Sequence, residues 1–212
     1  MGLRSAAPAL VFASTACFGT AFAATPAEHL ARRVEEHHRR TRDLVARFTQ
    51  TYRSGLLGRE SVERGRVSLK RPGLMRWEYE QPERKTFVSD GHRFFFYVPA
   101  DRQVIVKETR DERSLPSQLL SGGEILASFE VSLEPEASGG LSRLRLVPRE
   151  DDAEVAEAVL VLDAEARIRA IEIKDAQGSR SRFDFAEVRE NVDLKDSVFE
   201  FVMPKGVEVI QG

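Results

Sequence analysis

The sequence predicts a mainly β protein built on a large antiparallel sheet, a barrel or a sandwich, accompanied by two helical pieces. Three observations predict it. Apolar and polar residues alternate with period two through about ten short segments, the signature of strands with one wet face. Gly, Asp and Pro separate these segments at the spacing of tight turns. No helical pattern recurs between successive strands, so the βαβ rhythm of a parallel sheet is missing.

The elements follow in order. Arg4 precedes a short apolar run from Ala9 to Phe18, and small residues follow at Ala21-Phe-Ala23. A charged start, an apolar middle and an A-x-A ending make a secretory signal peptide, and the run is too short to span a bilayer. Cleavage is expected after Ala23, leaving residues 24–212 as a single domain, with no repeat and no linker. The one cysteine, Cys17, lies inside this segment. As a lipid-attachment site it would follow Ser14-Thr-Ala16, which lacks the leucine usual three positions ahead. The remaining chain has no cysteine, hence no disulfide, thiol nucleophile or thiolate-bound metal.

From about Pro26 to Arg42 the period is helical. Leu30, Val34, His37 or His38 and Thr41 share one face, and Arg32, Arg33, Glu35, Glu36, Arg39 and Arg40 occupy the other. Pro26 suits a first turn. The period then becomes two: Leu44, Ala46, Phe48, Gln50 and Tyr52 alternate with Val45, Arg47, Thr49, Thr51 and Arg53, up to a turn marked by Gly55 and Gly58. Val67 and Leu69 form the next strand, then Met75, Trp77 and Tyr79. Thr86 to Val88 leads into Asp90-Gly91, a hairpin pair, followed by Phe94 to Val98 and Val104 to Val106. Residues 114–120 read as a short helix with Pro116 in its first turn, ended by Gly122-Gly123. Phe129 to Leu133, Arg143 to Leu146, Val159 to Leu162, Ile168 to Ile173, Ser181 to Val188 and Phe199 to Met203 complete the strands. Ser138-Gly-Gly140 is a hairpin loop.

The formal charge of −2 and a charged fraction of 31% with interspersed signs describe a well-solvated surface. They give no field that would draw nucleic acid. The histidines His29, His37, His38 and His92 do not match a zinc pattern: Glu35-Glu-His-His38 is not H-E-x-x-H. A solvated helix face accounts for His37 and His38, and an exposed turn for His92. There is no phosphate-binding glycine loop and no G-x-S-x-G elbow. An enzyme is not expected, nor a cofactor or a metal.

The sheet is instead rich in aromatic residues, among them Phe48, Tyr52, Trp77, Tyr79, Phe87, Phe94, Phe95, Phe96, Tyr97, Phe183, Phe185, Phe199 and Phe201. The run from Phe94 to Val98 is apolar on both faces and needs cover on both. The residues allow either a packed sandwich core or a half-barrel whose apolar face is roofed by the two helices and could admit an acyl chain.

The segment Lys70-Arg-Pro-Gly-Leu-Met-Arg-Trp-Glu-Tyr-Glu-Gln-Pro82, with Phe87-Val-Ser-Asp-Gly91 and Phe95-Phe-Tyr97, resembles the LolA family of periplasmic lipoprotein carriers. Phe48-Thr-Gln50 and the tail from Phe199 to Val207 are similar to that family as well. The resemblance implies an incomplete antiparallel β-barrel, with helices forming a lid over a hydrophobic cavity. It implies a monomeric periplasmic carrier that takes acylated lipoproteins from an inner-membrane ABC transporter and passes them to an outer-membrane receptor. A carrier of another envelope lipid or glycolipid on the same fold is the alternative. By the same resemblance Met75, Trp77, Tyr79, Phe87, Phe95, Leu119 and Leu120 line the acyl-chain cavity. Arg71 matches the arginine that hydrogen-bonds lid carbonyls and locks the empty cavity. The chain ends at Gln211-Gly212, leaving no room for the further strand with which some members retain cargo.

Overall fold

The computed structural model describes residues 23–108, 114–137, 139–150 and 155–212. The signal peptide expected at residues 1–23, with Arg4 and Cys17, lies outside them except for Ala23, as does Ser138 of the expected hairpin loop.

Helix α1 spans Pro26–Arg40. Thr25 opens it with a capping box: its hydroxyl accepts from the Glu28 amide at 3.2 Å, and the Glu28 carboxylate accepts from the Thr25 amide at 2.7 Å. Two orphan donors of the first turn are thereby satisfied. The strands are β1 (Asp43–Arg53), β2 (Glu60–Lys70), β3 (Leu74–Gln81), β4 (Lys85–Asp90), β5 (Arg93–Val98) and β6 (Gln103–Glu108). Helices α2 (Leu115–Ser121) and α3 (Ile125–Ser128) come next. They are followed by β7 (Phe129–Ala137), β8 (Leu141–Pro148), β9 (Glu157–Leu162), β10 (Ile168–Lys174), β11 (Arg180–Glu190) and β12 (Glu208–Gln211).

All twelve strands belong to one open sheet, in the order β12-β6-β5-β4-β3-β2-β1-β11-β10-β9-β8-β7. Two antiparallel meanders, β1 to β6 and β7 to β11, join where β1 pairs with β11; only β12, beside β6, is parallel. At the join Phe48 faces Phe185 and Gln50 faces Phe183. One apolar face results, running from β8 to β5. The helices lie on it: α1 against β7 and β8, α2 against β2, α3 against α1 and β7. Ala31 and Val34 of α1 are fully buried there, beside Leu144, Leu160 and Ile171 of the sheet.

Three expectations are corrected. Phe199 to Met203 is not a strand: a 3-10 turn over Asp196–Phe199 leads into an irregular segment. Its aromatic residues cover the outer face of the sheet, where Phe201 stacks on Phe95 with ring centroids 4.9 Å apart, while Val202 is exposed. The last residues do form a strand, β12, because β6 offers a free edge for their backbone. His38 is not solvated but buried: the helix turns it inward with Val34 and Thr41, while His37 is half-buried and bonds Glu190 at 2.9 Å.

Candidate functional site

Strand register decides which side chains form the floor beneath the helices. Trp77 stands opposite Phe87, and Phe87 opposite Phe96. Cross-strand partners share a face, so Met75, Trp77, Tyr79, Phe87, Phe94 and Phe96 all point toward the helices. Their rings interlock. Phe48 lies 4.9 Å from Trp77 and 4.8 Å from Tyr79, edge to face. Trp77 meets Phe183 at 5.7 Å, Tyr79 meets Phe87 at 5.7 Å, and Phe87 stacks on Phe96 at 4.4 Å. Gly65, opposite Tyr79, is required by close approach: a Cβ there would fall 2.0 Å from the Glu78 carbonyl oxygen and 2.9 Å from the Phe48 ring.

Of the expected lining residues, Met75, Trp77, Tyr79, Phe87, Leu119 and Leu120 come together in this one cluster. Phe95 does not. It pairs with Val88 and points to the outer face, where it packs with Val88, Val104 and Val106 under Phe201. A run of four consecutive aromatics carries no alternation, so its inward pair, Phe94 and Phe96, emerges only from the pairing with Phe87.

Helix α2 roofs the floor. Ser114 is its N-cap by geometry, and Gly122 ends it in the left-handed conformation at φ 93°. Leu119 and Leu120 are buried beneath it, only 2% and 5% exposed. Two hydrogen bonds tether it. Near its start, the indole Nε1 of Trp77 donates to the Ser117 hydroxyl at 2.9 Å, and the Ser114 hydroxyl bonds Ser117 at 2.7 Å. At its end, Nε of Arg71 donates to the Ser121 carbonyl at 3.0 Å. This takes up one of the acceptors a helix terminus leaves open. Ser117, Ser121 and Gly122 are thus site residues that sequence reasoning missed. Their polarity and smallness have no pattern until Trp77 and Arg71 are placed beside them.

Gly122 is required by this approach. A Cβ on it would sit 1.9 Å from the Arg71 guanidinium and 3.1 Å from the His38 Cβ. Burial, and then neighbouring Arg39, press the Arg71 pKa below the usual arginine value. Burial, helped by His37 and Arg71, holds the His38 imidazole down at about 4, and its Nδ1 has no hydrogen-bond partner among the described residues. Outside this latch lies a cleft of about 650 Å³ lined by Glu35, Arg39, Arg71, Gly122, Glu124 and Leu126 among others. Glu35 spans it, accepting from the Leu126 amide at the start of α3 at 3.0 Å.

At the opposite end of the floor the Tyr79 hydroxyl donates to Gln50 at 2.7 Å, and the Lys85 ammonium lies 4.3 Å from the Tyr79 ring while pairing with Glu63. Burial, then Glu63, raises the Tyr79 pKa. No group of three or more His, Cys, Asp or Glu that could hold a metal occurs among the described residues. The arrangement is an apolar floor packed beneath a small helix held by two separable polar tethers.

The family model described as outer membrane lipoprotein carrier protein LolA matches residues 39–202. An outer-membrane lipoprotein carrier protein of Azotobacter vinelandii is 31% identical over 198 residues, covering 90% of this chain and 94% of its own. One from Pseudomonas fluorescens is 30% identical over 174 residues, covering 81% of this chain and 83% of its own. Among solved structures, an uncharacterized conserved protein from Thermus thermophilus matches with a TM-score of 0.59 at 16% identity, over 89% of this chain and 100% of that one. At that identity the likeness speaks for the fold alone.

Proposed function

The chain belongs to the LolA family of outer-membrane lipoprotein carrier proteins, and from that premise we propose that it is a periplasmic carrier which shelters the acyl chains of lipoproteins between the aromatic floor and α2. It is secreted by the signal peptide at residues 1–23. It takes its cargo from an inner-membrane ABC transporter and yields it to an outer-membrane receptor. Residues 24–212 act as one carrier domain.

One observation carries this reading: the roof helix is tied to the floor by the Trp77 and Arg71 hydrogen bonds, and its other contacts there are apolar. An acyl chain can replace Leu119 and Leu120 against Met75, Trp77, Tyr79 and Phe87 without stranding a charge. The energetic need is large. A lipoprotein with about three chains of about 16 carbons would expose tens of kcal/mol of apolar surface to water, at about 0.8 kcal/mol per methylene. Transfer into an apolar cavity removes most of that barrier and leaves the exchange nearly balanced. The net worth of the Arg71 bond, about 1 kcal/mol or somewhat more for a charged donor, then biases the balance toward the closed, empty state and favours release.

The test is mass spectrometry of protein purified from the periplasm of its native host, together with the release of lipoproteins from spheroplasts. Triacylated lipoproteins in stoichiometric amounts on an Arg71→Leu variant, which accepts cargo but hands it on poorly, are the expected result. Free lipid or glycolipid without lipoprotein would instead favour the envelope-lipid carrier. Unimpaired transfer by Arg71→Leu would remove Arg71 from the mechanism.

A further inference from the structure

We propose that the tip of the β1–β2 hairpin is a membrane-contact site that seats Leu56 and Leu57 in the interfacial layer of an anionic lipid bilayer. These two residues are 86% and 72% exposed, adjacent, and at the apex of a turn. Single exposed leucines are ordinary, but two together on a projecting tip have no partner in the fold.

The tip is built rather than loose. The Ser54 amide donates to the Arg59 carbonyl and the Gly58 amide to the Ser54 carbonyl, both at 2.9 Å. The Leu57 amide donates to the Ser54 hydroxyl at 3.1 Å. Gly55 rests on the β10–β11 turn: a Cβ there would fall 2.5 Å from the Gln177 carbonyl oxygen, and its amide donates to the Ser179 hydroxyl at 3.3 Å. The leucines are therefore displayed on a buttressed support, so little ordering entropy is lost when they bind.

Charge identifies the occupant. Arg53 and Arg59 flank the tip, and Arg53 stands in register with Arg180 on β11, like beside like. All three arginines are exposed, and none forms an ion pair among the described residues. The carboxylates at this end are Glu60, opposite Arg53, and Asp175, which caps the Ser179 amide; behind the tip, Glu157 and Glu172 attract Arg180 and share a cleft with it and Arg53, which leaves Arg59 and Arg53 as the cations that flank the leucines. An apolar tip flanked by Arg53 and Arg59, neither of them in an ion pair among the described residues, fits a surface of acyl chains beneath phosphates, which offers burial to the leucines and counter-charge to the guanidiniums. A pocket on a protein would also accept the leucines, but it gives no reason for the two flanking arginines. The site is remote from the roof: β1, 11 residues long, separates the tip from the Arg71 end by roughly 35 Å at the rise of a strand.

The experiment uses cargo-free protein, so its outcome is independent of the carrier reading. Co-sedimentation is measured with vesicles of phosphatidylcholine containing phosphatidylglycerol. The wild type is expected to bind, and to bind less as salt rises. Leu56→Ser with Leu57→Ser should weaken binding at least about tenfold, as expected for losing two buried leucines. Arg53→Glu with Arg59→Glu should weaken it comparably. Both variants should unfold at the wild-type temperature, since the replaced side chains are exposed. A wild type that stays in solution would overturn the proposal and leave a pocket on a protein partner as the seat of the tip. So would a double-serine variant that binds as the wild type does.

Discussion

At the scale of single residues, the latch between sheet and roof is a set of close approaches that tolerate little change. Gly122 shows this most directly. Gly122→Ala must relieve a clash with the Arg71 guanidinium at a positive φ, a strained conformation that alone costs about 1–3 kcal/mol. Faster amide exchange over residues 115–121 is expected, with exchange in β1 and β2 unchanged; equal exchange in the roof would show that Arg71 does not hold it. His38 yields a pH prediction. Its imidazole is held near 4 against an ordinary 6.5. Between those values the unfolded chain binds a proton that the folded chain refuses. The stability linked to neutral His38 is therefore fully present above pH 6.5 and is lost as pH falls through 4. A difference of this size corresponds to about 3 kcal/mol. In urea titrations the wild type should lose stability over that window faster than His38→Leu, and parallel curves would count against the burial.

At the scale of elements, the two faces of the β3–β6 half carry different duties. Phe199, 1% exposed, anchors the C-terminal segment over the outer face, and Lys70 bonds the Leu194 carbonyl at 2.6 Å. Phe199→Ala should destabilise the chain by about 3–5 kcal/mol, the usual cost of emptying a buried aromatic site. At a temperature where it stays folded, the variant should still take up a fluorescent fatty acid, because the floor under α2 is on the other side. Loss of uptake in a folded variant would mean that the faces are coupled. This two-sidedness explains what the sequence made legible. β1 and β3 alternate cleanly because one face is wet, so period puts Phe48, Met75, Trp77 and Tyr79 on one apolar face, and only the family resemblance makes that face the floor of a cavity. β5 is covered on both faces, so period says nothing and Phe95 is assigned to the wrong side. The segment from Phe199 is apolar like a strand but makes no ladder: Phe199 and Phe201 pack on the sheet, while Val202 stays exposed. Helix α3, a single turn, is below the length at which periodicity exists.

At the scale of the whole molecule, stability is unevenly distributed. The join between β1 and its neighbours β2 and β11 is paired along 11-residue strands, and the outer face of β7 to β11 is laced by Arg143 with Glu134 and Glu172 and by Arg182 with Asp184. The roof has seven residues in α2 and four in α3. A helix of one or two turns has no stability of its own and persists only by its tertiary contacts. Opening the roof therefore costs far less than unfolding the sheet, and local openings of this kind span the range from near zero to the global value. On the proposed reading, cargo that displaces Leu119 and Leu120 would draw on that low-cost opening. Loading should remove amide protection over residues 115–128 while β1, β2 and β11 keep theirs, as read by hydrogen exchange of empty and acyl-loaded protein. Exchange that rises uniformly across the sheet on loading would mean that the barrel itself must part to admit cargo, and that the two tethers on α2 are not the gate.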